Sequence, residues 1–275
     1  MRSLMKRVIT RLINAAGFDL VRHRPLREVN LNIDEQLGYE LEVEATSCIH
    51  LVKGNTMLSK RRLVTLYQQV AYCEKYNIPG DFVECGVWKG GAAGMMALAN
   101  LRKAGKRRHL HMFDAFQEIC EPDAAVDGER ALREVREFTG RSDHDKGKLQ
   151  ALSGIYDSFG GPGTLDENRH LLEKTIGYPK EFTHYHVGWF QNTLPADHQD
   201  IDQIALLRLD GDWYASTKVC LEYLFDKVVK GGVIIIDDYG TYEGCRRAVD
   251  EFMEYKKIQV YLAPIDSDCR FFVKL

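Results

Sequence analysis

No Cys-x-x-Cys pair occurs among the seven cysteines, at positions 48, 73, 85, 120, 220, 245 and 269, so the spacing of a zinc site or a redox pair is missing. Cys73, Cys85 and Cys220 lie in apolar segments and read as reduced, buried residues of a cytoplasmic protein without a disulfide framework. Charge of one sign is missing too. Acids and bases mix along the chain to a formal net charge of -3, which leaves no extended basic field and excludes nucleic acid as an expected partner. No internal repeat is present, and no stretch near the start is both apolar and long enough to cross a bilayer. At 275 residues the chain suits one large α/β domain with an N-terminal extension.

That extension has a pattern. Leu4, Met5, Val8, Ile9, Leu12 and Ile13 recur at helical spacing, with Arg2, Lys6, Arg7 and Arg11 largely between them. A basic amphipathic helix of this kind has two readings: it packs on the body of the protein or on a second copy in a homo-oligomer, or it makes peripheral contact with an anionic inner-membrane surface. Residues 22–30, with Arg22, His23, Arg24 and Pro25, read as a linker.

From Ser59 to Tyr76 the apolar residues Leu63, Leu66, Tyr67, Val70 and Cys73 predict a helix with Ser59 as its N-cap. Strand-like runs follow at Phe82–Cys85, His109–Phe113, His184–Val187, Ile204–Leu209 and Val233–Ile236. They are apolar without alternation, as strands buried on both faces require, so the sheet is expected to be mainly parallel with helices on both sides. Val260–Ile265 and Arg270–Lys274 are joined only by residues 266–269, a link so short that it demands an antiparallel hairpin. The expected fold is therefore α/β: a class I methyltransferase-like doubly wound sheet closed by a C-terminal hairpin. Between these units, residues 118–178 form a long insertion with a flexible Gly160-Gly161-Pro162-Gly163, suited to a lid.

The segment Gly80-Asp81-Phe82-Val83-Glu84-Cys85-Gly86-Val87-Trp88-Lys89-Gly90-Gly91 is a strand that ends in an acid and breaks into a glycine turn before an Ala/Met-rich helix. Glycines let a ligand approach the backbone, and the helix start offers unpaired N–H groups. Glu84 would repel a pyrophosphate but suits an amino group or ribose hydroxyls, which points to S-adenosylmethionine rather than a dinucleotide.

Ligands of doubly wound sheets sit at the carboxyl ends of the strands, and here those ends are acidic: Glu84, Asp114, Asp210 with Asp212, and Asp237 with Asp238. Asp114 closes the second strand, where an acid can accept ribose hydroxyls. Four carboxylates from two neighbouring strands would repel one another unless a counter-ion joined them, and an oxygen-only donor set suits Mg²⁺ or Mn²⁺. The pairs His109/His111 and His184/His186 alternate on strand faces and read as structural.

In their order, Thr56-Met57-Leu58-Ser59, the glycine-turn segment, Gly188-Trp189-Phe190 with Thr193-Leu194-Pro195, Leu209-Asp210-Gly211-Asp212 with Tyr214 and Ser216-Thr217, and Gly231-Gly232 through Asp237-Asp238-Tyr239 resemble the macrocin O-methyltransferase family. The resemblance covers about Thr56 to Phe252. It implies a metal-dependent sugar O-methyltransferase, with S-adenosylmethionine held by Thr56, Met57, Glu84, Gly86, Val87, Trp88, Gly90, Asp114, Gly188 and Trp189. It further implies Mg²⁺ or Mn²⁺ on Asp210, Asp237 and Asp238; Asp210 and Asp212 are expected to be catalytic, with Asp212, two residues beyond a metal ligand, the expected general base. Residues 1–58 then supply the N-terminal helix, linker and a lid segment, and residues 59–275 the methyltransferase domain. The acceptor is expected to be a sugar-containing small molecule or glycan. Where the family commonly has Asp-Ser-Phe-x-Gly, this chain has Asp114-Ala115-Phe116-Gln117-Glu118. Two other readings compete: Asp210-Gly211-Asp212 as the Asp-x-Asp of a nucleotide-sugar glycosyltransferase, and a non-catalytic binding protein on the same fold.

Overall fold

The computed structural model describes residues 37–275, and the basic helix expected before them lies outside the described residues. Helices α1 (Glu42–Val52) and α2 (Lys60–Lys75) precede strand β1 (Asp81–Cys85). Ser59 accepts a hydrogen bond from Arg62 N at 3.3 Å and caps α2, a contact worth about 1 kcal/mol. The chain continues through α3 (Gly91–Lys103), β2 (Leu110–Asp114), α4 (Gly128–Thr139) and α5 (Leu165–Arg169), which runs on as a π-helical turn over His170–Ile176. There follow β3 (Thr183–Val187), α6 (Phe190–Asp197), β4 (Ile204–Leu209), α7 (Tyr214–Leu224), β5 (Val228–Ile236), α8 (Glu243–Lys256), β6 (Ala263–Pro264) and β7 (Arg270–Val273).

The seven strands lie in the order β3-β2-β1-β4-β5-β7-β6. The first five are parallel, and β7 runs antiparallel to both of its neighbours. Successive strands leave β1 toward β3 on one side and toward β5 on the other, which opens a crevice at the carboxyl ends of β1 and β4. Every residue of β4 is buried because both faces carry a core. Phe82, Met112, Leu206 and Ile235 pack against Leu63, Val70 and Met96 of α2 and α3. On the other face Val83, Phe113, Leu207 and Ile234 meet Leu194, Leu221 and Val249.

The last strand pair is shorter than expected. Only Ala263 and Pro264 pair with β7, since an edge position is where a proline without an N–H can end a ladder. Val260 and Leu262 instead pack as partly buried side chains on the second core. All seven cysteines are free and buried. Among the described residues no helix is long and apolar enough to cross a membrane.

His109, just before β2, and His111 within it pack beside His184 and His186 of β3. His109 Nδ1 lies 2.7 Å from His184 Nε2 and His111 Nδ1 lies 3.1 Å from His186 Nε2. Phe113 stacks on His186 at 4.0 Å, and His186 Nδ1 lies 3.0 Å from Asp197 Oδ2. Burial and the neighbouring imidazoles push His184 down to about 4, so that ring is neutral and stacks without charge repulsion.

The insertion is a docked structure. Cys120, Ala131, Val135 and Leu152 form a small core around Trp213, whose Nε1 donates to Cys120 O at 2.9 Å. Buried Asp127 accepts Tyr214 N at 2.6 Å and so covers the start of α7. The residues just after β4 are thereby held from both sides.

Candidate active site

The glycine turn after β1 is built from left-handed backbone. Gly86, Trp88 and Gly90 have φ of 89°, 46° and 84°. A Cβ on Gly86 would overlap the carbonyl oxygen of Asp210, so the turn closes directly against the end of β4. Asp114 holds the turn from β2: its Oδ2 accepts Val87 N at 2.6 Å and Trp88 N at 3.0 Å, while Oδ1 accepts Phe116 N at 2.6 Å. The carboxylate proposed for ribose thus already shapes the loop, and its remaining lone pair on Oδ1 is what a hydroxyl could use. Thr56 is buried against Gly91 at the start of α3, where a Cβ would overlap the Thr56 side chain, whereas Met57 is 40% exposed. On the other rim Gly188 N donates to Asp114 O at 2.9 Å, which fixes Gly188 and half-buried Trp189 beside the same strand end.

Register explains the next layer. Glu84 stands opposite Arg208 in the β1–β4 ladder, so both side chains project toward α2. Arg208 Nη1 donates to Glu84 Oε1 at 2.7 Å and to Asp210 Oδ2 at 2.9 Å. Its Nη2 lies 2.8 Å from Asp237 Oδ1, an ion pair bent away from hydrogen-bond geometry. From α2, Arg62 Nη1 donates to Asp237 Oδ2 at 2.6 Å, and its Nε donates to Asp266 Oδ2 at 2.6 Å. Glu84 is 1% exposed and its Oε2 has no partner. Burial, opposed by Arg208, pushes its carboxyl up to about 8.

Asp210, Asp237 and Asp238 each place one carboxylate oxygen within 4.8 Å of the others. Asp212 follows in a left-handed conformation, φ 54°, and its N donates to Asp238 Oδ2 at 3.3 Å. Burial first, and then the neighbouring acids, push the carboxyls of Asp210, Asp212 and Asp238 above the usual carboxylate range. Two guanidinium groups, one of them shared with Asp266, do not balance Asp210, Asp212, Asp237 and Asp238. An all-oxygen set short of positive charge is the chemistry that a hard divalent cation fits. The left-handed glycine turn, with no Cβ in the way of an approaching ligand, fits in the same way a nucleoside cofactor.

The structure therefore brings Glu84, Gly86, Val87, Trp88, Gly90, Asp114, Asp210, Asp212, Asp237 and Asp238 to one end of the sheet, with Thr56, Gly188 and Trp189 at its edges. Sequence reasoning missed Arg208 and Arg62. The signal for Arg208 was present, as a charge inside the otherwise apolar run Ile204–Leu209; for Arg62, one base among three at the start of a helix, there was none.

A model of the family described as Macrocin-O-methyltransferase (TylF) matches residues 31–145 and 170–274. The chain belongs to this family. It is 34% identical over 217 residues to demethyldecarbamoylnovobiocin O-methyltransferase of Streptomyces niveus, spanning 78% of this chain and 74% of that one. It is 30% identical over 217 residues to mycinamicin III 3''-O-methyltransferase of Micromonospora griseorubida, spanning 78% and 76%. Among solved structures, the O-methyltransferase NovP superposes with a TM-score of 0.65 at 28% identity, over 90% of this chain and 96% of that one. The calicheamicin methyltransferase CalS11 shares the fold, with a TM-score of 0.53 at 16% identity over 93% and 99%. As a macrocin O-methyltransferase family member, the protein is an O-methyltransferase with the class I fold, in which β7 and β6 form the antiparallel edge.

Proposed function

We propose that the protein transfers the methyl group of S-adenosylmethionine to a sugar hydroxyl of a glycoside, glycan or natural product, in a reaction that depends on Mg²⁺ or Mn²⁺. The observation that carries this reading is the approach of the Asp210, Asp237 and Asp238 oxygens to within 4.8 Å, beside the glycine turn. The names of the relatives support the acceptor class: one is an O-methyltransferase of demethyldecarbamoylnovobiocin, another of mycinamicin III. Asp210, Asp237 and Asp238 would hold the cation, which when bound supplies Lewis-acid polarisation of the acceptor hydroxyl. Glu84, Asp114 and the 86–90 turn would hold the donor, with Thr56, Met57, Gly188 and Trp189 at its edges. Asp212 would take the hydroxyl proton, its basicity raised first by burial and then by the acids around it. The insertion, docked over Trp213, serves as a lid that keeps water from the reacting atoms.

The test is a labelled-methyl assay with Mg²⁺ and a panel of nucleotide sugars, free glycosides and lipid-linked glycans, paired with calorimetry of S-adenosylmethionine against a nucleotide sugar. We expect donor binding and label transfer to the sugar of one acceptor class. Binding of nucleotide sugars without S-adenosylmethionine would establish the glycosyltransferase reading instead.

A further inference from the structure

We propose that Lys89 and Asn168 are positioning residues for the methyl donor, coupling the order of the insertion at 157–168 to the shape of the 86–90 turn. The inference rests on the reading of that turn as the donor site. It begins from Trp88, whose φ of 46° is a conformation that a bulky L-residue does not hold unaided. Asp114 grips the turn from below through the N–H groups of Val87 and Trp88. Among the described residues, the opposing grip on Trp88 and Lys89 comes from the insertion.

Asn168 is fully buried, and its Nδ2 donates to Trp88 O at 2.7 Å and to Thr164 O at 2.9 Å. Trp88 Nε1 donates to Gly161 O at 3.3 Å. A Cβ on Gly163 would overlap Trp88 O, so glycine is required for the two backbones to approach this closely. Lys89 completes the contact. It is 9% exposed, its Nζ donates to Phe159 O and Gly160 O at 3.0 Å each, and the same ammonium lies 4.8 Å from the centre of the Trp88 ring.

Among the described residues no carboxylate lies within ion-pair distance of Lys89. Its buried charge is satisfied only while the carbonyls of residues 159 and 160 are in place, and it returns to water when they leave. Closing the insertion thus sets the turn, and a ligand that needs the set turn favours the closed insertion. The segment lies between the two stretches matched by the family model, which end at residue 145 and resume at 170.

The experiment uses S-adenosylhomocysteine as probe, calorimetry for its Kd and hydrogen exchange for residues 157–168, on the full chain and on Lys89→Met, Lys89→Arg and Asn168→Ala. In the wild type the probe is expected to slow exchange at 157–168. In Lys89→Met and Asn168→Ala the Kd is expected to rise about tenfold to hundredfold and the protection to be lost, with Lys89→Arg intermediate. Exchange at 157–168 unchanged by bound probe in the wild type would overturn the inference without any variant. So would variants with a Kd within twofold of wild type. Failure of the wild type to bind the probe at all would instead overturn the donor-site reading.

Discussion

Asp212→Asn is expected to lower kcat by about 100-fold to 10,000-fold, the range for loss of a positioned general base, while the Kd of S-adenosylhomocysteine stays within a factor of about two of wild type. Asparagine is the informative replacement because residue 212 sits at φ 54°, a left-handed conformation that asparagine tolerates well. The backbone N–H that reaches Asp238 Oδ2 is kept, and only the ability to take a proton is lost. Rapid-quench kinetics at saturating donor and acceptor measure the effect. A kcat within threefold of wild type would move the base to another residue.

Arg208→Met is expected to destabilise the fold by about 3–5 kcal/mol, because removing one partner of a buried ion pair leaves the other charge uncompensated. Arg208 is 2% exposed and touches Glu84, Asp210 and Asp237. Methionine fills much the same volume, so the loss reports electrostatics and not a cavity. Adding Asp237→Asn should recover part of the deficit, since the neutral amide removes the carboxylate that Arg208 pairs with at 2.8 Å. Urea unfolding of both variants supplies the numbers. A single-variant loss below about 1 kcal/mol would show the network to be balanced without the guanidinium.

Much of the architecture was legible because β1, β2, β4 and the end of β5 bury both faces. Ile204–Leu209 reads as a strand from its apolar run alone, and its observed bounds are the same. The positions of Asp210, Asp237 and Asp238 were legible for a related reason: they follow directly on runs of apolar strand residues. The pairing of Glu84 with Arg208 was not legible, because it depends on the β1–β4 register, which local pattern does not set. Nor was the double duty of Asp114, whose oxygens are used by N–H groups of its own loop region. Residues 118–178 were the least readable. Their small core needs Trp213, nearly a hundred residues from Cys120 in the chain, and their contacts to the glycine turn run through backbone carbonyls.

If the acids at the ends of β4 and β5 hold a divalent cation beside the methyl donor, electron paramagnetic resonance will show one bound Mn²⁺ per wild-type chain, displaced by Mg²⁺, with that site lost in Asp210→Asn and Asp238→Asn and donor affinity kept. No bound Mn²⁺ in the wild type, or full methyl transfer in excess chelator, would contradict that assignment.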